Sequence, residues 1–128
     1  MSEVGINPKD LIGAKKPDIS LVPPSAIVGM AMALGNGASK YGPYNWREEG
    51  KPVQVRTYLA AAMRHIMEKL DGEDLASDSG IDHLFHAMAG LAVVVDAIQV
   101  GNYVDNRPIK GTASKMIEEF EKKRGIDK

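Results

Sequence analysis

Residues 65–86 read HIMEKLDGEDLASDSGIDHLFH, and the fold turns on how the chain passes through them. Upstream, Leu59, Met63, Ile66 and Leu70 recur at helical spacing, predicting a helix from about Val53 to Asp71 with Gly72 as its stop. Downstream, Leu84, Phe85, Met88, Leu91, Val94 and Ile98 predict a second helix that ends at Gly101. Ser79-Gly80-Ile81-Asp82 fits a capping box with aspartate in place of glutamate, so this second helix is expected to start at Ser79. The short Gly72–Asp78 connection should fold the two helices back antiparallel. From Ala87 to Val95 the second helix is apolar nearly all round, so it must be covered on several sides. A chain of 128 residues has little spare material for that, which predicts a homo-oligomer, a dimer or a tetramer.

The same stretch holds all three histidines and six of the seventeen acids. His83 and His86, three apart, share one helix face. His65 lies on the preceding helix, and Glu73, Asp74 and Asp78 occupy the connection. Imidazoles and carboxylates around one cleft are the arrangement that helical bundles use for metal sites. Oxygen ligands suit Mg²⁺ or Mn²⁺, and imidazoles tilt the choice toward Mn²⁺ or a later transition metal. Duller roles stand beside this one. Asp82 serves equally as a helix cap, Arg64 and Glu68 as a solvated i,i+4 pair worth about 0.2–0.5 kcal/mol, and Glu73 and Asp74 as ordinary loop acids.

Outward from the hairpin, the first 24 residues carry four of the seven prolines and no helical period, which predicts an extended arm. Ser25 reads as the N-cap of a short apolar helix through Ile27, Met30 and Leu34, weakened or ended by Leu34-Gly35-Asn36-Gly37. The loop KYGPYNWREEGKP follows. Its Lys40, Tyr41, Tyr44, Asn45, Trp46 and Arg47 suit both base stacking with phosphate contact and a turn anchored by one buried tryptophan. After a turn at Asp105-Asn106-Arg107-Pro108 comes a charged helix from about Thr112 to Lys123, with residues 109–128 forming the C-terminal segment. No strand pattern of any length is visible. The expected fold is all-α, a bundle of about four helices with a proline-rich arm.

Composition narrows the function. A formal charge of −1 gives no nucleic-acid or membrane footprint, and no cysteine is present for disulfides or thiolate chemistry. No apolar run approaches the roughly 20 residues that span a bilayer. The N-terminal residues lack a secretory core, so the expected location is the cytoplasm.

One ordered set of short motifs adds to this. Asn7-Pro8-Lys9-Asp10, Lys16-Pro17, Lys40-Tyr41-Gly42, Asn45-Trp46, Arg64-His65, Gly72-Glu73-Asp74, Ser79-Gly80, His83-Leu84 and His86 stand in the order of a known family. Over residues 6–108 the chain resembles the phage-type dATP/dGTP diphosphohydrolases (MazZ-like), related to the MazG-like all-α nucleoside triphosphate pyrophosphohydrolases. The resemblance implies one all-α domain over residues 1–128. It also implies hydrolysis of dATP or dGTP to monophosphate and pyrophosphate with Mg²⁺ or Mn²⁺, in the bacterial host cytoplasm if the chain is phage-encoded. It assigns His65, Glu73 and Asp78 to catalysis. His65, Glu73, Asp74, Asp78, His83 and His86 become the metal set, and Lys40, Tyr41, Asn45, Trp46 and Arg64 the substrate set. Two departures stand out. MazG-like proteins carry Glu-x-x-Glu and Glu-x-x-Asp, where this chain has His65-x-x-Glu68 and Ser79-x-x-Asp82. The missing carboxylates motivate an alternative, a nucleotide-binding or nucleotide-sequestering protein without catalysis. A helical interaction protein is a third reading.

Overall fold

The computed structural model describes residues 5–125; the first four residues of the arm and the last three of the C-terminal segment lie outside them. Five α-helices run in the order α1 (Pro8–Gly13), α2 (Pro24–Tyr41), α3 (Val55–Leu70), α4 (His83–Val100) and α5 (Ala113–Lys123). The all-α expectation holds. α4 lies at the centre, packed most heavily against α3 and next against α2. Their meeting faces are close: a Cβ added at Gly29 of α2 would run into the Phe85 ring of α4.

Several boundaries differ from the sequence reading. The arm is not wholly extended, because Asn7 caps α1 through its side chain, which accepts the Lys9 N–H at 2.9 Å, and Pro8 supplies a pre-set first turn. Ser25 is not the N-cap of α2. Pro23 holds that position without a side-chain bond and Pro24 begins the helix. α2 also runs straight through Gly35-Asn36-Gly37 to Tyr41 and stops at Gly42, whose φ is +89°. Two glycines in a helix cost about 1 kcal/mol each by propensity. Leu34, packed against the core, outweighs that local preference.

α4 begins at His83 rather than Ser79, since Asp82 is its N-cap and accepts the Leu84 N–H at 2.8 Å. The chain also contains strands, contrary to expectation. β1 (Val53–Gln54) and β2 (Tyr103–Val104) pair in parallel, Val53 opposite Tyr103, and tie the approach to α3 to the exit from α4. Their junction holds the core: Val53, Val55, Val93, Val94 and Ala97 are buried together, with Leu34, Trp46, Tyr58 and Leu59 packed on them.

α4 is long and apolar enough to cross a membrane by length and composition. Here it is the central helix of a bundle, and it carries His83, His86 and Asp96. Its Leu84, Leu91, Val95 and Ile98 remain exposed in the single chain.

Candidate active site

Small residues meet where α2, α3 and α4 converge. Gly35, Gly37, Ala61, Ala62, Ala89 and Gly90 leave room between the helices, and a cavity of about 650 Å³ opens there. That volume lies within the range of small-molecule sites.

One end of the cavity is built by the turn between α3 and α4. Gly72, at φ +102°, reverses the chain after α3. Its N–H reaches the Lys69 carbonyl at 3.1 Å, and the Glu73 N–H reaches the Glu68 carbonyl at 3.0 Å, forming a Schellman motif. The chain then closes a small hairpin. Leu75 bridges Asp82, the buried Ala76 N–H donates to the Ile81 carbonyl, and the His83 N–H donates to the Asp74 carbonyl. Lys69 clamps this hairpin from α3, pairing with Asp74 at 3.0 Å and Asp82 at 3.1 Å. The Leu84 N–H and then Lys69 hold the Asp82 carboxyl below its usual range.

These turns bring Glu73 and the three imidazoles together. His83, 2% exposed, places Nε2 at 2.7 Å from Glu73 Oε1 and Nδ1 at 2.8 Å from His65 Nδ1. A carboxylate only accepts, so Nε2–H of His83 donates to Glu73. In a neutral His83 ring, Nδ1 then accepts from Nδ1–H of His65, which leaves the lone pair of His65 on Nε2. His86 stacks on His65 with centroids 4.9 Å apart and an interplanar angle of 15°. The Ser79 hydroxyl accepts the Ile81 N–H and lies 2.7 Å from His86 Nε2. Burial lowers the pKa of both His65 and His86. Neighbouring imidazoles add to that lowering, and Asp78 opposes it at both rings. The two rings therefore stand neutral at pH 7.

The other end is aromatic. Trp46 Nε1–H donates to Asp96 Oδ2 at 2.6 Å, and Arg47 grips both oxygens of Asp96 at 2.8 and 2.9 Å. Asn102, just past Gly101, donates its side-chain amide to the carbonyls of Trp46 and Glu48. Trp46 thus anchors the turn and also lines the cavity.

Of the expected residues, Lys40, Tyr41, Asn45, Trp46, His65, Asp78 and His86 all line the cavity. His83 stands behind His65, hydrogen-bonded to it, and Glu73 is hydrogen-bonded in turn to His83. The structure does not bring Arg64 or Asp74 to the cavity wall. Arg64 is exposed, and the Asp74 carboxylate is occupied by Lys69. Glu68, read as half of an ion pair and as the one carboxylate of the His65-x-x-Glu68 match, lies beside His65 and His83. One ligand atom from each lies within 4.8 Å of the others. Two imidazoles and a carboxylate fit a divalent ion, with a preference for Mn²⁺ or a later metal over the oxygen-seeking Mg²⁺.

Asp96 was missed, although a lone acid in an 18-residue apolar helix is a visible signal that a partner must exist. The small-residue clusters that make the cavity were missed too.

The dATP/dGTP diphosphohydrolase, N-terminal family matches residues 7–107. A protein of Salmonella phage PMBT28 named dATP/dGTP diphosphohydrolase is 30% identical over 79 residues, which is 62% of this chain and 26% of the phage protein. The chain therefore aligns with about a quarter of that relative's length. No solved structure matches.

Proposed function

The chain belongs to the dATP/dGTP diphosphohydrolase, N-terminal family, and from that premise we propose that its cavity binds purine deoxynucleoside triphosphates and hydrolyses them to monophosphate and pyrophosphate. The observation that carries this reading is a single cavity with neutral imidazoles at one end and an aromatic wall at the other. The reaction is then written through His65. Its free Nε2 takes a proton from water as the water oxygen bonds to the α-phosphorus. The bond from that phosphorus to the bridging oxygen breaks, and pyrophosphate leaves. Glu73 and His83 fix the tautomer of His65, as the acid does in a catalytic triad. Lys40 faces triphosphate charge. With a Mn²⁺ or Mg²⁺ ion bound, His65, Glu68 and His83 would hold it, His65 would then be a ligand rather than the base, and the ion would supply charge neutralisation and a more acidic water.

The same proposal includes a cytoplasmic location, that of the bacterial host if the chain is phage-encoded, and a homo-oligomer with the exposed Leu84, Leu91, Val95 and Ile98 of α4 in its interface. A second reading, nucleotide binding without turnover, is favoured by one observation: among the described residues Asp78 is the only acid on the cavity wall.

The test is a product assay on the full chain with dATP, dGTP and the other common nucleotides, in Mn²⁺, Mg²⁺ or EDTA. Monophosphate and pyrophosphate from dATP or dGTP is the expected result. Intact triphosphates under every condition, with nucleotide bound, would move the non-catalytic reading to first place. Calorimetry with Mn²⁺ alone separates the metal question. Glu73→Gln should weaken Mn²⁺ binding on the order of 10–100-fold by unseating a ligand's hydrogen-bond partner, and Asp74→Asn should leave it unchanged.

A further inference from the structure

Tyr44 has φ +55° and ψ +30°, the left-handed region, and it is the one non-glycine residue there among the described residues. For an L-residue that conformation costs about 1–2 kcal/mol, so something nearby must hold it. The Arg47 guanidinium sits 4.9 Å over the Tyr44 ring, and the Trp46 ring lies 5.1 Å from it. Arg47 and Trp46 both end on one carboxylate, that of Asp96. Asn102 grips the same turn by its backbone carbonyls. Asp96 is thus the common anchor of two rings that both line the cavity. Arg47 and then Trp46 pull its pKa down to about 2, so the anchor stays charged over the working pH range.

We propose that Asp96 is a positioning residue that sets nucleotide affinity, holding Tyr44 and Trp46 as the wall on which the purine base stacks. The phosphates then extend toward Lys40 and the imidazoles. This inference rests on the nucleotide reading of the cavity and gives the bound molecule its direction. Flat aromatic faces take any base, so the wall supplies binding strength rather than base choice. Base choice falls to polar groups nearby, with Asn36 and Asn45 on the wall as the amides available.

Trp46 is the chain's sole tryptophan, so its emission reports the wall directly. Full-length protein would be titrated with dATP, dGTP and inorganic tripolyphosphate, and turnover measured where it occurs. In the parent chain dATP should quench Trp46 strongly and tripolyphosphate weakly. Asp96→Asn keeps one acceptor oxygen for Trp46 but breaks the fork to Arg47. It should weaken dATP binding and raise KM about tenfold, the loss of roughly one base-stacking contact, with kcat within about threefold and tripolyphosphate affinity unchanged. Arg47→Lys, which keeps the charge and loses the fork, should shift both in the same direction by a smaller factor. It carries the test if Asp96→Asn fails to fold. Equal losses for dATP and tripolyphosphate would overturn the proposal, as would unchanged dATP affinity in a folded variant. Absence of any nucleotide binding by the parent chain would instead sink the nucleotide reading itself.

Discussion

At the start of α4, His83 and His86 meet partners no more than 21 residues away; near its end, Asp96 meets Trp46 and Arg47 from about 50 residues away. The two ends also differ in charge. The His86 ring and the His65 ring stacked on it are depressed toward neutrality by burial, while the Asp96 carboxylate is held ionised by a guanidinium and an indole N–H. A neutral ring with an unshared pair can take a proton. A charged, fully bonded carboxylate can only hold things in place. The same helix therefore offers a reactive end and a mechanical end, and the cavity runs between them.

The largest expected effect tests that division at the reactive end. His65→Ala removes the proton acceptor and should lower kcat by about 10²–10⁴-fold, the usual contribution of general base catalysis. Nucleotide affinity read by Trp46 emission should stay close to the parent value, because the aromatic wall is untouched. A variant that lost affinity and kept kcat would invert the assignment of the two ends.

The reach of sequence reasoning follows the same division. The reactive end was legible because its parts are neighbours in the chain: His65 before Gly72, Glu73 after it, His83 and His86 one turn apart. Even there the details escaped. Ser79 looks like a cap, but the ionised Asp82 is a stronger acceptor for the first helical amides and takes the cap, leaving Ser79 for His86. Glu68 looks like a partner for Arg64, yet the turn of α3 sets it beside His65 and His83. The mechanical end was half legible. Trp46 and Arg47 stood out, but nothing local to them names Asp96, and pairing across 49 or 50 residues is fixed only when α4 docks. α2 was cut short because glycine propensity is local, whereas the packing of Leu34 that keeps the helix going is not.

Acid should separate the ends in order. The folded His65 and His86 have pKa values below their ordinary 6.5, so the unfolded chain binds more protons as pH drops past 6.5. Stability from this source is fully present above 6.5 and falls as pH passes down through the folded values. Asp96, lowered from 3.8 to about 2, contributes stability above 3.8 that is lost only as pH approaches 2. In EDTA-treated protein, histidine ring resonances should shift while Trp46 emission stays constant, and the emission should change only in the more acidic step. A single coincident transition would show that the two ends open together.

The smallest effects come from the two glycines that set the ends in place. Gly72 turns the chain after α3 and delivers Glu73 to His83; Gly101, at φ +77°, turns it after α4 and delivers Asn102 to the carbonyls of Trp46 and Glu48. Neither has a neighbour that an added methyl would strike, so alanine acts through backbone strain alone. Each substitution should cost about 1–2 kcal/mol of stability by thermal or urea unfolding, and the two costs should be alike. Their kinetic effects should not be. Gly72→Ala shifts Glu73 and loosens the tautomer of His65, so kcat falls with little change in KM. Gly101→Ala loosens the Trp46 turn, so KM rises with little change in kcat. Equal strain with opposite kinetic signatures is a result that general loosening of the fold cannot produce, because loosening would move both constants in both variants.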